Sequence, residues 1–290
     1  MIQNNNLSVL PWYQSLDEQN HRKTYSYGDV YPLFTPLNML LPFQIVRPHR
    51  TNGLNYFRIY KIDGTQVADL TTQIAETGLS IVPFEALGYD VIVYTALLPL
   101  IWSSAEGQYY AQLSDGAQTW YSEVFTLVNM TNTNYLTIEW YDVENMVFDD
   151  GQIVYVDPLY KNRLYLCTQL GKPEYVFEEE GENRDGYFFP EKQVSEKTYR
   201  FVFLAPEYLC DVMRIIRMSD FVTVTDNYGR VYPCDTFLIT PKWQTQGNLA
   251  SVEAEFQTAT VIKKIGRGYI TPTGGDFNND YNNDFKNNIL

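Results

Sequence analysis

Apolar and polar residues alternate in short bursts over the first half of the chain. Tyr56-Phe57-Arg58-Ile59-Tyr60-Lys61-Ile62 changes face at every residue and then meets Asp63-Gly64. A period of two running into Asp-Gly is a hairpin signal. Phe43 to Val46, Leu79 to Phe84 and Asp90 to Thr95 are further short apolar runs. The clearest hairpin joins Tyr109-Tyr110-Ala111-Gln112-Leu113 through Ser114-Asp115-Gly116 to Trp120 to Leu127. About six or seven strands at this spacing between Val30 and Val128 predict a β-sandwich. The preceding residues, 1–29, hold isolated aromatics without a period of 2 or 3.6. They read as an extended arm, with Trp12 and Tyr13 as candidate partner contacts.

The six residues Asn129 to Asn134 are polar except for Met130 and read as a linker. A second β-rich domain, a sandwich or barrel, is predicted over 135–268. Its strands are Leu136 to Trp140, Gln152 to Val156, Arg163 to Cys167, Tyr199 to Phe203, Phe221 to Thr225, Arg230 to Tyr232, Phe237 to Thr240 and Ser251 to Phe256. The acidic stretch Lys172 to Asp185, ending in Asp185-Gly186, reads as a turn or surface hairpin. One helix is predicted at about 205–217. Leu209, Val212, Met213 and Ile216 recur at helical spacing, and Ala205-Pro206-Glu207 opens it.

The last 22 residues, 269–290, change character. After Thr271-Pro272-Thr273-Gly274-Gly275, an aromatic recurs every fourth residue in an Asn-rich frame, at Phe277, Tyr281 and Phe285. Such a segment has too little apolar surface to fold alone. The three aromatics are therefore candidate anchors on a partner chain.

Composition sharpens this picture. Aromatics make up 16% of the chain, with 24 Tyr and 16 Phe, which suits pleated sheets and polar protein contacts. The net charge of −14 repels phosphate, so specific nucleic-acid binding is not expected. Cys167, Cys210 and Cys234 offer no C-x-x-C pair and fit a reducing compartment. No run is long enough for a membrane helix, and Met1 to Asn6 lacks a secretory pattern. His21 and His49 are the only histidines, with no G-x-S-x-G elbow, zinc spacing or phosphate loop around them. Gly266-Arg267-Gly268 is no dinucleotide fingerprint. Asp149-Asp150-Gly151 and Glu178-Glu179-Glu180 carry the chemistry for Ca²⁺ or a glycosidase pair, but a turn and a solvated run explain them more simply. No catalytic residue, metal or cofactor is expected. The leading alternative is a carbohydrate-binding or adhesion protein, with Trp102, Trp120, Trp140 and Trp243 as ring-stacking candidates.

Two resemblances bear on function. The strand pattern of 30–128 is similar to an immunoglobulin or fibronectin type III module. The block Tyr199 to Lys264 couples Tyr-Arg-Phe-Val-Phe, Ala-Pro-Glu-Tyr-Leu-Cys-Asp-Val-Met-Arg, Asp220-Phe221-Val222 and Tyr228-Gly229-Arg230-Val231-Tyr232, and ends in Val252-Glu253-Ala254-Glu255-Phe256-Gln257-Thr258. It resembles structural proteins of bacteriophages infecting gut Bacteroidetes, more loosely distal tail or baseplate proteins. The hairpin Tyr109 to Gly116 with Trp120-Tyr121-Ser122-Glu123 is similar to modules of the same proteins. The resemblance covers about half the chain. It implies a virion component of the phage tail, made in the host cytoplasm, in a ring, baseplate or fibre-attachment layer. Its partners would be copies of itself and other virion proteins.

Overall fold

A computed structural model describes residues 8–16, 33–73, 78–96, 105–130, 134–143, 146–147, 153–154, 160–243 and 249–264. The expected mostly β class is found. The strands are β1 (Trp12–Tyr13), β2 (Leu33–Pro36), β3 (Phe43–Pro48), β4 (Tyr56–Lys61), β5 (Gln66–Asp69), β6 (Leu79–Phe84), β7 (Tyr89–Tyr94), β8 (Gly107–Ser114), β9 (Thr119–Ser122) and β10 (Phe125–Val128). They continue with β11 (Leu136–Tyr141), β12 (Met146–Val147), β13 (Ile153–Val154), β14 (Asn162–Leu166), β15 (Glu174–Arg184), β16 (Tyr187–Pro206), β17 (Phe221–Thr225), β18 (Val231–Pro233), β19 (Thr236–Trp243) and β20 (Leu249–Lys264). The helix α1 spans Glu207–Met213 and is followed by a 3-10 turn at Ile216–Met218. It is shorter than the spacing predicts, but Leu209, Val212, Met213 and Ile216 are all buried as that spacing requires.

The described chain forms two compact units. The first takes in the residues up to Pro173 together with Tyr199–Thr258; the second takes in Glu174–Thr198 and the chain from Ala259. In the first unit a large sheet runs β1-β9-β8-β10-β2-β14-β11-β17-β18, and β4 joins β8. A three-stranded sheet, β3-β7-β6, packs against it. Phe43 of β3 joins the layers: its ring lies 4.5 Å from Trp12 and 5.3 Å from Tyr94, centroid to centroid. Phe57 of β4 is 6.3 Å from Phe43. Each such buried aromatic contributes about 2–3 kcal/mol. Strand β7 is buried on both faces, with Val91 and Val93 meeting Val46 and Tyr160 on the side away from Phe43. A second aromatic group surrounds Phe256, with Tyr199 stacked on it at 5.5 Å and Phe201 edge-on at 6.4 Å.

Two expectations are corrected here. Residues 129–134 do not divide the chain into two domains. Strand β2 pairs in parallel with β10, Leu33 opposite Phe125, and on its other edge with β14, Tyr165 opposite Phe34. Strands from both sides of 129–134 thus share one sheet and one core. Parallel pairing joins residues far apart in sequence, so local turn signals do not report it. Trp12 and Tyr13 are likewise no free contact surface. They form β1 against Ser122 and Tyr121 of β9 and are 5% and 8% exposed. Tyr13 donates its hydroxyl proton to Glu123 Oε2 at 3.1 Å. A two-residue strand is too short to show a period. The anchors Phe277, Tyr281 and Phe285 lie outside the described residues.

Candidate protein-contact surface

The second unit is built on a long hairpin. Strand β15 pairs with β16 from Glu174 opposite Thr198 to Arg184 opposite Tyr187. Asp185 and Gly186 close it with φ of 49° and 85°. Positive φ at both central residues is the type I′ geometry that Asp-Gly favours. Glu180 opposes Lys192 and Gly181 opposes Pro190, which leaves Glu191 as a bulge. A Cβ at Gly181 would run into the Phe189 carbonyl and Pro190 Cα, so only glycine fits that crossing.

The hairpin carries large side chains in solvent. Tyr175 and Tyr187 are each 72% exposed, Phe177 61% and Phe188 47%. No described side chain from Glu174 to Lys197 is buried. Alternation about the register sorts them. Tyr175, Phe177 and Phe188 share one face with Lys197, Ser195 and Gln193; Glu174, Glu178, Glu180 and Glu182 share the other with Lys192. The run Glu178-Glu179-Glu180 is therefore part of a strand rather than a loop. Gln193 Nε2 donates to Glu179 at 2.6 Å, and Lys192 pairs with Glu180 at 3.3 Å. Sequence reading finds the surface hairpin but misses its aromatics. The signal was there in Tyr175 and Phe177 two apart and in Tyr187-Phe188-Phe189 after Asp185-Gly186.

A buried charge cluster lies in the first unit. Arg47, Asp90 and Asp115 are all buried. Arg47 Nε donates to Asp90 Oδ2 at 3.2 Å, and its Nη1 donates to Asp115 Oδ2 at 2.9 Å. Its Nη2 donates to the Asn52 carbonyl at 2.7 Å. His49 Nδ1 lies 2.6 Å from Asp90 Oδ1, and Arg50 Nη1 donates to Asp115 at 3.0 Å. Asp115 also accepts the Ala117 and Gln118 N–H groups. Burial opposes ionisation of Asp90 and Asp115. Hydrogen bonds, from His49, the Arg50 N–H and Arg47 on Asp90 and from backbone N–H groups on Asp115, outweigh it and hold both below the usual carboxylate range. The cluster ties β3 and β7 to the β8–β9 turn. His49 and Asp90 have the spacing of a base and its orienting carboxylate, but no hydroxyl or thiol hydrogen-bonds His49 among the described residues. Burial pushes the Cys210 thiol up to about 11 and the Cys234 thiol up to about 12. Neither is an activated nucleophile.

The proposed sugar-stacking tryptophans separate. Trp120 and Trp140 are buried in the core and cannot meet a glycan; Trp243 is 48% exposed. Trp102, His21, Asp149-Asp150-Gly151 and Gly266-Arg267-Gly268 lie outside the described residues. A face of tyrosines lies on β4, β8 and β9. Tyr60 stacks on Tyr110 at 5.4 Å, and Arg58 lies over Tyr56 at 4.5 Å. Gln112 Nε2 donates to the Tyr56 and Tyr121 hydroxyls. Among the described residues no group of three His, Cys, Asp or Glu is disposed to hold a metal, and no helix is long and apolar enough to cross a membrane. In comparisons with known proteins, no protein-family model matches the chain and no curated protein matches it.

Proposed function

We propose that this chain is a non-enzymatic structural protein of a bacteriophage virion, a ring, baseplate or fibre-attachment component of the tail. It works by contacts with copies of itself and with other virion proteins. The observation that carries the contact role is the hairpin β15–β16, which holds an aromatic face in solvent and, among the described residues from Glu174 to Lys197, buries no side chain. Exposed apolar patches of this kind mark protein contacts. The assignment to a virion rests on the sequence resemblance of Tyr199 to Lys264 and Tyr109 to Glu123. Its site of synthesis is then the host cytoplasm. Light scattering and negative-stain microscopy of the purified chain test the reading. A discrete oligomer is expected, dissociating or shrinking when residues 269–290 are removed. A monomer at concentrations well above micromolar, which also fails to join any other particle protein, would overturn it.

A second reading, carbohydrate binding, is favoured by the tyrosine face of β4, β8 and β9. Ring faces with an amide and a guanidinium between them suit sugars. Titration with glycans followed by tyrosine fluorescence checks this, and loss of the signal in Gln112→Ala would locate it.

A further inference from the structure

The sheet that carries the hairpin runs β15-β16-β20-β19. Strand β15 stands first in it, so among the described residues no strand lies beyond 175–181. Strand β20 has a similar stretch. Its pairing with β19 ends where Gln257 opposes Thr236, yet the strand runs on to Lys264. From Ala259 it belongs with the hairpin in the second unit, where β16 is its described neighbour. The described part of the second unit is therefore a ribbon, β15-β16-β20, that presents a backbone edge on each side. Such edges are templates for adding a strand.

The two edges differ in charge. Residues 175–181 hold Glu178, Glu179 and Glu180 and no cation. Residues 261–264 hold Lys263 and Lys264 and no carboxylate. On β16 between them, Glu191 and Glu196 offset Lys192 and Lys197 in number. Charge thus runs from negative to positive across the ribbon. Both edges are also exposed and partly apolar, with Val261 at 64% and Ile262 at 55% on one and Tyr175 and Phe177 on the other. Successive side chains of a strand point to opposite faces, so each edge carries its charge on both faces. Glu178 and Glu180 lie on one face and Glu179 on the other; Lys263 and Lys264 divide in the same way. Pairing β15 with β15 would oppose carboxylates, and pairing 261–264 with itself would oppose ammonium groups. Like charges facing each other across strands are destabilising. Opposite charges meet on both faces when β15 lies against 261–264.

We propose that β15 of one copy adds as a strand along the outer edge of 261–264 in a second copy of this chain, so that one sheet continues from copy to copy. The Glu178-Glu179-Glu180 run then lies beside Lys263 and Lys264, and Tyr175 and Phe177 extend the apolar surface of Val261 and Ile262. This rests on the reading of the chain as a self-assembling structural protein and names the edges that assemble. The two edges differ, so the contact is head-to-tail. Each copy gives one edge and receives at the other, which builds a ring where the rotation closes.

The experiment uses the full chain and swaps the charge of the edges. The acidic-edge variant is Glu178→Lys with Glu179→Lys; the basic-edge variant is Lys263→Glu with Lys264→Glu. All four side chains are exposed, and circular dichroism with thermal melting verifies folding. In analytical ultracentrifugation each variant alone should self-associate about tenfold more weakly than the unaltered chain, or worse. Mixing the two should recover assembly, because the β15 of each then meets an oppositely charged edge on the other. A chain carrying all four substitutions should recover it alone. Hydrogen exchange of the assembled, unaltered chain should show amides of 175–181 and 261–264 gaining protection that both variants lose. If the unaltered chain assembles and either variant assembles equally well, or if those amides gain no protection, the inference is overturned and the structural reading stands. If the chain assembles only once residues 269–290 are removed, its own tail covers an edge and the inference is likewise overturned. A chain that stays monomeric in every form overturns the self-assembly on which both depend.

Discussion

Arg47 is the residue on which the most buried charge depends. Its guanidinium faces Asp90 and Asp115, and the three side chains are each no more than 1% exposed. Arg47→Met keeps the volume of the stem but leaves two buried carboxylates short of a counter-ion. Removing one partner of such a cluster costs about 3–5 kcal/mol, read from the urea midpoint. The same cluster fixes a pH dependence. Folded Asp90 and Asp115 hold protons more weakly than in the unfolded chain, so their contribution is complete above the unfolded value of about 4. It is lost as pH falls through the lower folded values, and the urea midpoint should drop there. Asp142 has the opposite sign. Burial raises its pKa, the Asp220 N–H it accepts at 3.0 Å opposes this, and the Asp220 charge adds to the rise. Its ionised form is thus penalised near neutrality. Asp142→Asn keeps an acceptor for that N–H. The variant should match or exceed the parent at neutral pH, with the advantage vanishing as pH falls below about 4. A variant clearly less stable at neutral pH would show that the charge, not the acceptor, is what matters at this position.

At the scale of the element, the hairpin β15–β16 is a register device. The bulge opposite Gly181 shifts the pairing by one residue, and a one-residue slip moves side chains to the other face. Gly181→Ala has no room without moving the partner backbone. Hydrogen exchange should show protection lost from Gly181 to Phe189, with Tyr175 to Glu179 still paired to their partners. The urea midpoint of the first unit should be unchanged, because its core lies elsewhere. A global loss of stability would refute that independence. Strand β1 argues the reverse case. Trp12 packs on Phe43 and is 5% exposed, so Trp12→Ala should cost about 3–5 kcal/mol in overall stability. As a contact residue it would have cost assembly instead, and sedimentation separates the two.

For the whole molecule, local chemistry was readable and distant pairing was not. The Asp63-Gly64, Ser114-Asp115-Gly116 and Asp185-Gly186 turns are each written in two or three adjacent residues; the second joins the strands expected of it, while the first leads into β5 and the third into the start of β16, neither of which the residue pattern marks as a strand. The helix announced itself through Leu209, Val212, Met213 and Ile216. The hairpin's contact face was half readable, since its charge masked its aromatics. The partnership of Leu33–Pro36 with Phe125–Val128 links residues some ninety positions apart, and no run of adjacent residues encodes it. That pairing decides how the chain unfolds. A linker at 129–134 would make two transitions and allow a fragment ending at Met130 to fold alone. Instead, β2 holds β10 on one edge and β14 on the other, and the core runs from Val9 through Ile138 to Phe256. Heating the full chain should unfold the first unit in one step, with calorimetric and van't Hoff enthalpies equal. The fragment ending at Met130 would leave the β14 edge of β2 unpaired and would lack the part of the shared core that Leu136, Ile138, Trp140 and the residues after them supply. It should lack a cooperative melt, and a sharp transition in that fragment would restore the two-domain division.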